Sequence, residues 1–295
     1  MKETFILNAK NELTEHLVYH QLAQMEGNLE NRATLERLSA QEKIHYEFWK
    51  SLLPDASAKN IHPQNYTVWK ISFLRIIFGV TFITKFLEMH EADAVKKYEN
   101  IAASIPESHK ARFAQIIEDE KSHERALINQ LKEKRVTYIG FIVLGLADAI
   151  VEITGVHAGF LGVTGSTLIA GVAGVIVGFS AAISMGSAGY LQAKQDTDKS
   201  AIFSGFLTWA SYFCSVILLA LPYFLIRVMI PAFIVSTSVG VLLVAGFTFY
   251  GAIVFDRKFW REFFETVSLM LATALATFLL GVIVGSIFHI HPSSF

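Results

Sequence analysis

The pattern of apolar and polar positions divides this chain near residue 135. Beyond that point apolar residues run almost unbroken in five blocks, near 136–160, 164–191, 201–223, 228–255 and 263–288. A helix needs about 20 predominantly apolar residues to cross the hydrocarbon of a bilayer, and each block is long enough. The second, third and fourth contain no Asp, Glu, Lys or Arg. Glycine recurs, as in TLIAGVAGVIVGF and FLLGVIVGSIF, and lets helix backbones approach closely in lipid. Pro222 and Pro231 mark the turn between the third and fourth blocks.

Before residue 135 the apolar positions recur at helical spacing, and the punctuation between them predicts four helices. The first covers Glu3–Met25 and ends at the Gly27-Asn28 turn. The second covers Leu29–Leu52 and is stopped by Pro54. A polar, irregular stretch over 54–65 leads to a third helix over 66–102. A fourth starts after Ser104, read as its N-cap, with Pro106 in the first turn. One long crossover and short turns suit a ferritin-like bundle. The run ISFLRIIFGVTFIT, interrupted only by Arg75, is too short to span and reads as bundle core or interdomain packing. The expected fold is therefore all-α: a ferritin-like four-helix bundle over 1–135, then a membrane domain of five transmembrane helices over 136–295.

Charge sharpens this division. Of 25 lysines and arginines and 26 aspartates and glutamates, only 13 lie beyond Arg135. The net charge of −1 gives no electrostatic case for a nucleic-acid partner. The single cysteine, Cys214, excludes a disulfide within the chain and reads as a small core residue. The first residues, MKETFILNAKNELTEH, lack the apolar core of a cleaved signal peptide. If the N-terminus is cytoplasmic, the inner flanks of the spans hold Lys132, Lys134, Arg135, Lys194, Lys199, Arg257, Lys258 and Arg261, and the outer flanks hold only Arg227. The positive-inside rule therefore places residues 1–135 in the cytoplasm and the C-terminus outside.

Candidate chemistry in the membrane half begins with Asp148 and Glu152, four residues apart in the first span and so on one helix face. An acid at mid-bilayer costs about 2.5–3.5 kcal/mol on insertion scales, so it needs a role. Two carboxylates facing a bundle interior can bind a cation or carry protons; the bland reading is a hydrogen bond to a neighbouring helix. His157 reads as an interface residue. Met185 lies among small residues of the second span, where its thioether, a soft ligand, suits transition metals and not magnesium or calcium. On spacing alone it is ordinary packing.

The runs VLGLADAIVE and GFSAAISMGSAGYLQAKQD resemble the first two spans of the vacuolar iron transporter family. That resemblance, over 136–288, implies five transmembrane helices, transport of ferrous iron and related divalent metals in exchange for protons, and a homodimer. It implies transport roles for Asp148 and Met185, with Glu152 at an acidic position of many prokaryotic members. The family's plant-type members carry a glutamate-rich cytoplasmic insertion between the second and third spans. Here that connection is only the short run QAKQDTDKS, so metal capture is expected elsewhere.

The first half supplies candidates for it. Glu-x-x-His occurs twice, as Glu42/His45 and Glu120/His123. A three-residue step puts both side chains on one helix face. Glu12 and Glu88 stand upstream of the two motifs, one helix earlier in each case. Glu-x-x-His from two helices plus Glu from the other two is the ligand set of carboxylate-bridged di-iron bundles, and oxygen and nitrogen donors suit iron or manganese.

Residues 1–133 resemble the rubrerythrin branch of the ferritin-like superfamily. The Glu12–Tyr19 spacing matches that branch, which prefers Glu12 to Glu15 as ligand and leaves Glu15 beside the site. The run EMHE supplies Glu88 as a terminal ligand and Glu91 as a carboxylate that exchanges with His45. The cysteine-rich rubredoxin module of true rubrerythrins is missing. Together the two resemblances match the membrane-bound ferritin type of prokaryotic fusion protein. This implies an integral protein of a prokaryotic cell membrane, binding iron in a di-iron centre and exporting Fe²⁺ from the cytoplasm. The competing readings are a membrane-anchored di-iron oxidase or peroxidase and a manganese exporter of the same architecture. The fourth helix is expected to run through LKEKR into the first span, linking Glu120 and His123 mechanically to Asp148.

Overall fold

A computed structural model describes residues 2–58, 60–87, 98, 101–120, 131, 133–196 and 199–290. Those residues are almost entirely helical, with no β-strand among them. The chain divides into two compact units, Met1–Glu133 and Lys134–Phe295.

In the first unit, helix α1 (Lys2–Gln24) turns back into α2 (Leu29–Ser51), and the two pack along their lengths. The turn is built by Asn28, whose side chain accepts from the N–H groups of Glu30 and Asn31 and so caps α2. A four-residue helix α3 (Asp55–Ala58) occupies part of the stretch expected to be irregular. Gln64 N–H donates to Thr14 Oγ1, tying the next entry to α1, and α4 (Asn65–Phe78) follows against α1. Arg75, the charge that interrupts the apolar run, donates to Glu26 at 2.8 Å beside the α1–α2 turn.

The third helix is not continuous. It breaks at Gly79, which has φ +89°, and α5 resumes over 80–87. Glu133 lies against the break. Its carboxylate accepts from Thr81 N–H at 3.0 Å and occupies the space a Cβ on Gly79 would need. The two halves of the apolar run also differ in burial. Val80, Phe82 and Ile83 are buried, whereas Phe73, Ile76 and Ile77 of α4 are exposed, against the reading of the whole run as bundle core.

Ser104 does not cap the last helix. It ends a 3₁₀ turn, Ala102–Ser104; a second, Glu107–His109, starts behind Pro106 and feeds α6 (Lys110–Glu118). Pro106 fits there because the first residues of a helix need no N–H partner. The expected unbroken helix through LKEKR is also corrected. Leu131 and Glu133 are non-helical, and the next helix starts at Lys134. The core of this unit is aromatic, with Phe5, Phe48, Trp49, Tyr98 and Phe113 around Ala9 and Ile116.

The second unit holds five helices long and apolar enough to cross a membrane, the build of an integral membrane protein. They are Lys134–Val163, Thr167–Ala193, Ala201–Leu225, Met229–Val254 and Phe259–Ile287. Ser166 and Ser200 cap the second and third with their hydroxyls. Pro222 lies inside the last turn of the third span and Pro231 in the first turn of the fourth, so both flank the connection. All five contribute to one core, including Ile150 and Ile153, Ala182, Tyr212 and Val216, Val244 and Met270. The first and fifth spans meet at Gly159 and Gly281, where a Cβ on Gly281 would strike the Gly159 carbonyl. Cys214, expected in a core, is exposed on the outer side of the third span, two residues beyond the inward-facing Tyr212.

Candidate metal centre

Helices α1 and α2 bring Glu12, Glu42 and His45 together. One ligand atom from each lies within 4.8 Å of the others, and all three residues are buried. The α-helical step from Glu42 to His45 aims both side chains at the partner helix, and Glu12 meets them from α1. Glu120, just beyond α6, also reaches His45. His45 Nδ1 lies 3.4 Å from Glu120 Oε1, 3.6 Å from Glu42 Oε2 and 3.7 Å from Glu12 Oε2. Among the described residues Nδ1 nevertheless has no well-aligned hydrogen bond. Glu88, Glu91 and His123 lie outside the described residues.

Crowding acids in a buried space shifts their titration. Burial pushes Glu15 up to about 8, reinforced by the charges of Glu12 and Glu120. Burial likewise raises Glu120. Burial alone would raise Glu12 too, but its contacts with His45 outweigh that and lower it. For His45 burial acts downward, and Glu12 and Glu120 override it, raising the imidazole to about 10. Buried carboxylates need a compensating charge, and a single imidazolium balances only part of this group.

The residues present therefore fit a divalent transition metal: oxygen donors, one imidazole nitrogen, and a buried ring nitrogen aimed among carboxylates with no aligned partner. Two residues of the site escaped the sequence reading. Tyr98 Oη donates to Glu12 Oε1 at 2.6 Å, and Trp49 Nε1 donates to the same oxygen at 3.1 Å. Of the two, only Trp49 carries a signal in its spacing. Trp49 lies four residues after His45 and seven after Glu42, on the face of α2 that carries both.

The membrane unit has a separate constellation. Glu152 Oε2 accepts from Tyr212 Oη of the third span at 2.5 Å. Asp148, one turn earlier and half-buried, makes no hydrogen bond or ion pair among the described residues, although Glu152 and Tyr212 are within electrostatic reach. Met185 is half-buried and packs against the cluster containing Tyr212. His157 is fully buried, its ring 4.1 Å from that of Tyr223 and pressed against Gly174. Comparison of the chain with family models, with curated proteins and with solved structures finds no match.

Proposed function

We propose that this protein exports a divalent transition metal, ferrous iron, across a cell membrane in exchange for protons, and that its first unit captures the ion in the cytoplasm. The observation that carries the reading is the buried convergence of Glu12, Glu42 and His45 in a chain whose other unit has five membrane-crossing helices. A metal store needs no spans, and an anchor needs no acids within them.

The resemblance to rubrerythrin-type bundles supports a ferritin-like first unit in which Glu88, Glu91 and His123 complete the ligand set. Glu12, Glu42, His45 and Glu120 would hold iron, which supplies Lewis acidity and redox chemistry when bound. In the spans, Asp148 offers a carboxylate with no partner among the described residues, Glu152 a carboxylate oriented by Tyr212, and Met185 a soft donor. Converging on one path, they would offer a weak, mixed ligand set suited to passing a transition cation. Lysine and arginine on the connections support a cytoplasmic N-terminus. Resemblance supports a prokaryotic membrane and a homodimer.

The test is flux through proteoliposomes holding the full chain. Fe²⁺ kept reduced and Mn²⁺ are offered separately, with a pH dye reporting proton movement. Saturable Fe²⁺ flux with opposite proton movement is expected. Flux of Mn²⁺ alone reassigns the cargo. Peroxide or oxygen consumption without metal flux replaces the transporter by a membrane-anchored oxidase or peroxidase.

A further inference from the structure

Among the described residues, Tyr98, Trp49 and His45 approach Glu12 so as to divide its two oxygens. Oε1 accepts from Tyr98 Oη at 2.6 Å and from Trp49 Nε1 at 3.1 Å. Oε2 faces His45 Nδ1 at 3.7 Å. A carboxylate oxygen has two lone-pair sites, so two donors at these distances fill Oε1. All three side chains are buried: Trp49 is 0 % exposed, Glu12 2 % and Tyr98 4 %. Water therefore has no easy access to compete for either bond.

The donors are themselves fixed. Trp49 and Tyr98 lie 5.1 Å apart between ring centroids, and both pack on Phe113, at 5.5 and 6.0 Å. Phe48 and Phe5 close the other sides of the indole. An aromatic wall of this kind allows Glu12 little freedom to rotate.

We infer that Trp49 and Tyr98 are positioning residues that close one oxygen of Glu12 and make it a one-oxygen ligand for a divalent metal. The inference rests on the metal-capture reading above. With Oε1 filled, Glu12 can neither chelate one ion nor bridge two through its pair of oxygens, and it presents Oε2 alone beside His45. The hydrogen bonds also draw charge from the carboxylate, weakening it as a donor in a site that must release its metal. Partners of a metal ligand typically change affinity by about 10–100-fold when removed.

The test uses the full chain in detergent with Mn²⁺ or Co²⁺ as the probe. Tyr98→Phe keeps the ring and removes one donor; Trp49→Phe removes the other. Phe113→Leu damages the same aromatic core without touching a hydrogen bond. Each donor variant is expected to change Mn²⁺ affinity by about 10-fold or more and to shift the Co²⁺ ligand-field bands, which report how many oxygens bind. Phe113→Leu is expected to lower thermal stability and leave both readouts in place. Wild type that binds metal, with donor variants matching it in affinity and bands, overturns the positioning role alone. Equal loss in Phe113→Leu and the donor variants also overturns it, because packing would then suffice. Wild type that binds neither ion overturns the capture reading and this inference with it.

Discussion

Tyr212 of the third span donates its hydroxyl to Glu152 of the first, 2.5 Å away. The two acids of the first span therefore differ. Glu152 is tied to a neighbouring helix, whereas Asp148, one turn earlier, has no such partner among the described residues. A hydrogen bond to a charged group contributes about 1.5–3 kcal/mol, and Tyr212→Phe removes it while keeping the buried ring. The melting temperature of the detergent-solubilised chain is expected to fall by about 2–4 °C for each kcal/mol lost. An unchanged melting temperature would show that the bond contributes nothing.

Protons would compete with the proposed metal for the cluster on α1 and α2, with a defined sign. Metal-free, folded Glu15 holds its proton up to about 8 and unfolded Glu15 only to 4.5. Its contribution to stability is full below 4.5 and is lost as pH rises through 8. His45 behaves alike, from 6.5 in the unfolded chain to about 10. Glu12, lowered in the folded state, opposes this only at acid pH. The first unit of chelator-treated protein is expected to melt at progressively lower temperature from pH 5 to pH 9. Metal affinity should run the other way, rising about tenfold per pH unit for each proton displaced, since a ligating imidazole must be neutral. Circular dichroism and Mn²⁺ titration at matched pH values check both. A melting temperature that rises over this window contradicts the charge arrangement.

The parts that were legible in the sequence are those governed by short-range pattern. Unbroken apolar runs located the spans within a few residues, because lipid leaves a helix no alternative. The step from Glu42 to His45 located one wall of the candidate metal centre, because a helix repeats its faces every three to four residues. The misses have long-range causes. Nothing local distinguishes Gly79 from a glycine inside a helix; its break lies against Glu133, which meets Thr81 from far along the chain. Trp49 and Tyr98 belong to the aromatic core, and only the fold reveals that both polar edges meet one oxygen of Glu12. Cys214 misled because an apolar run in lipid has an outward face as apolar as its core.

That break gives a stability prediction. Gly79→Ala places a methyl where the Glu133 carboxylate sits, at a φ of +89° that a side chain rarely adopts. Backbone strain of this kind costs about 1–3 kcal/mol. Glu133→Ala removes the obstacle and also the acceptor for Thr81 N–H. The double variant should therefore be less destabilised than the sum of the two single ones. Denaturant unfolding of the four proteins measures the difference, and strict additivity would show that Glu133 does not enforce the break.

Asp148 offers the sharpest separation of the two units' chemistry. Asp148→Asn keeps the size and polarity of the side chain and removes its charge, so the first span should pack as before. A carboxylate that meets a divalent ion in a low-dielectric setting contributes far more than an amide, because the attraction is between full charges. Flux of Fe²⁺ through proteoliposomes is expected to vanish in this variant, while the metal bound by the Glu12–Glu42–His45 cluster stays at the wild-type amount. Glu152→Gln is the contrasting case. Its amide oxygen can still accept from Tyr212, so loss of flux there would mark the charge, not the interhelical bond, as the working feature. Full flux in Asp148→Asn would remove Asp148 from the route, and full flux in Glu152→Gln as well would leave Glu152 with a structural role alone.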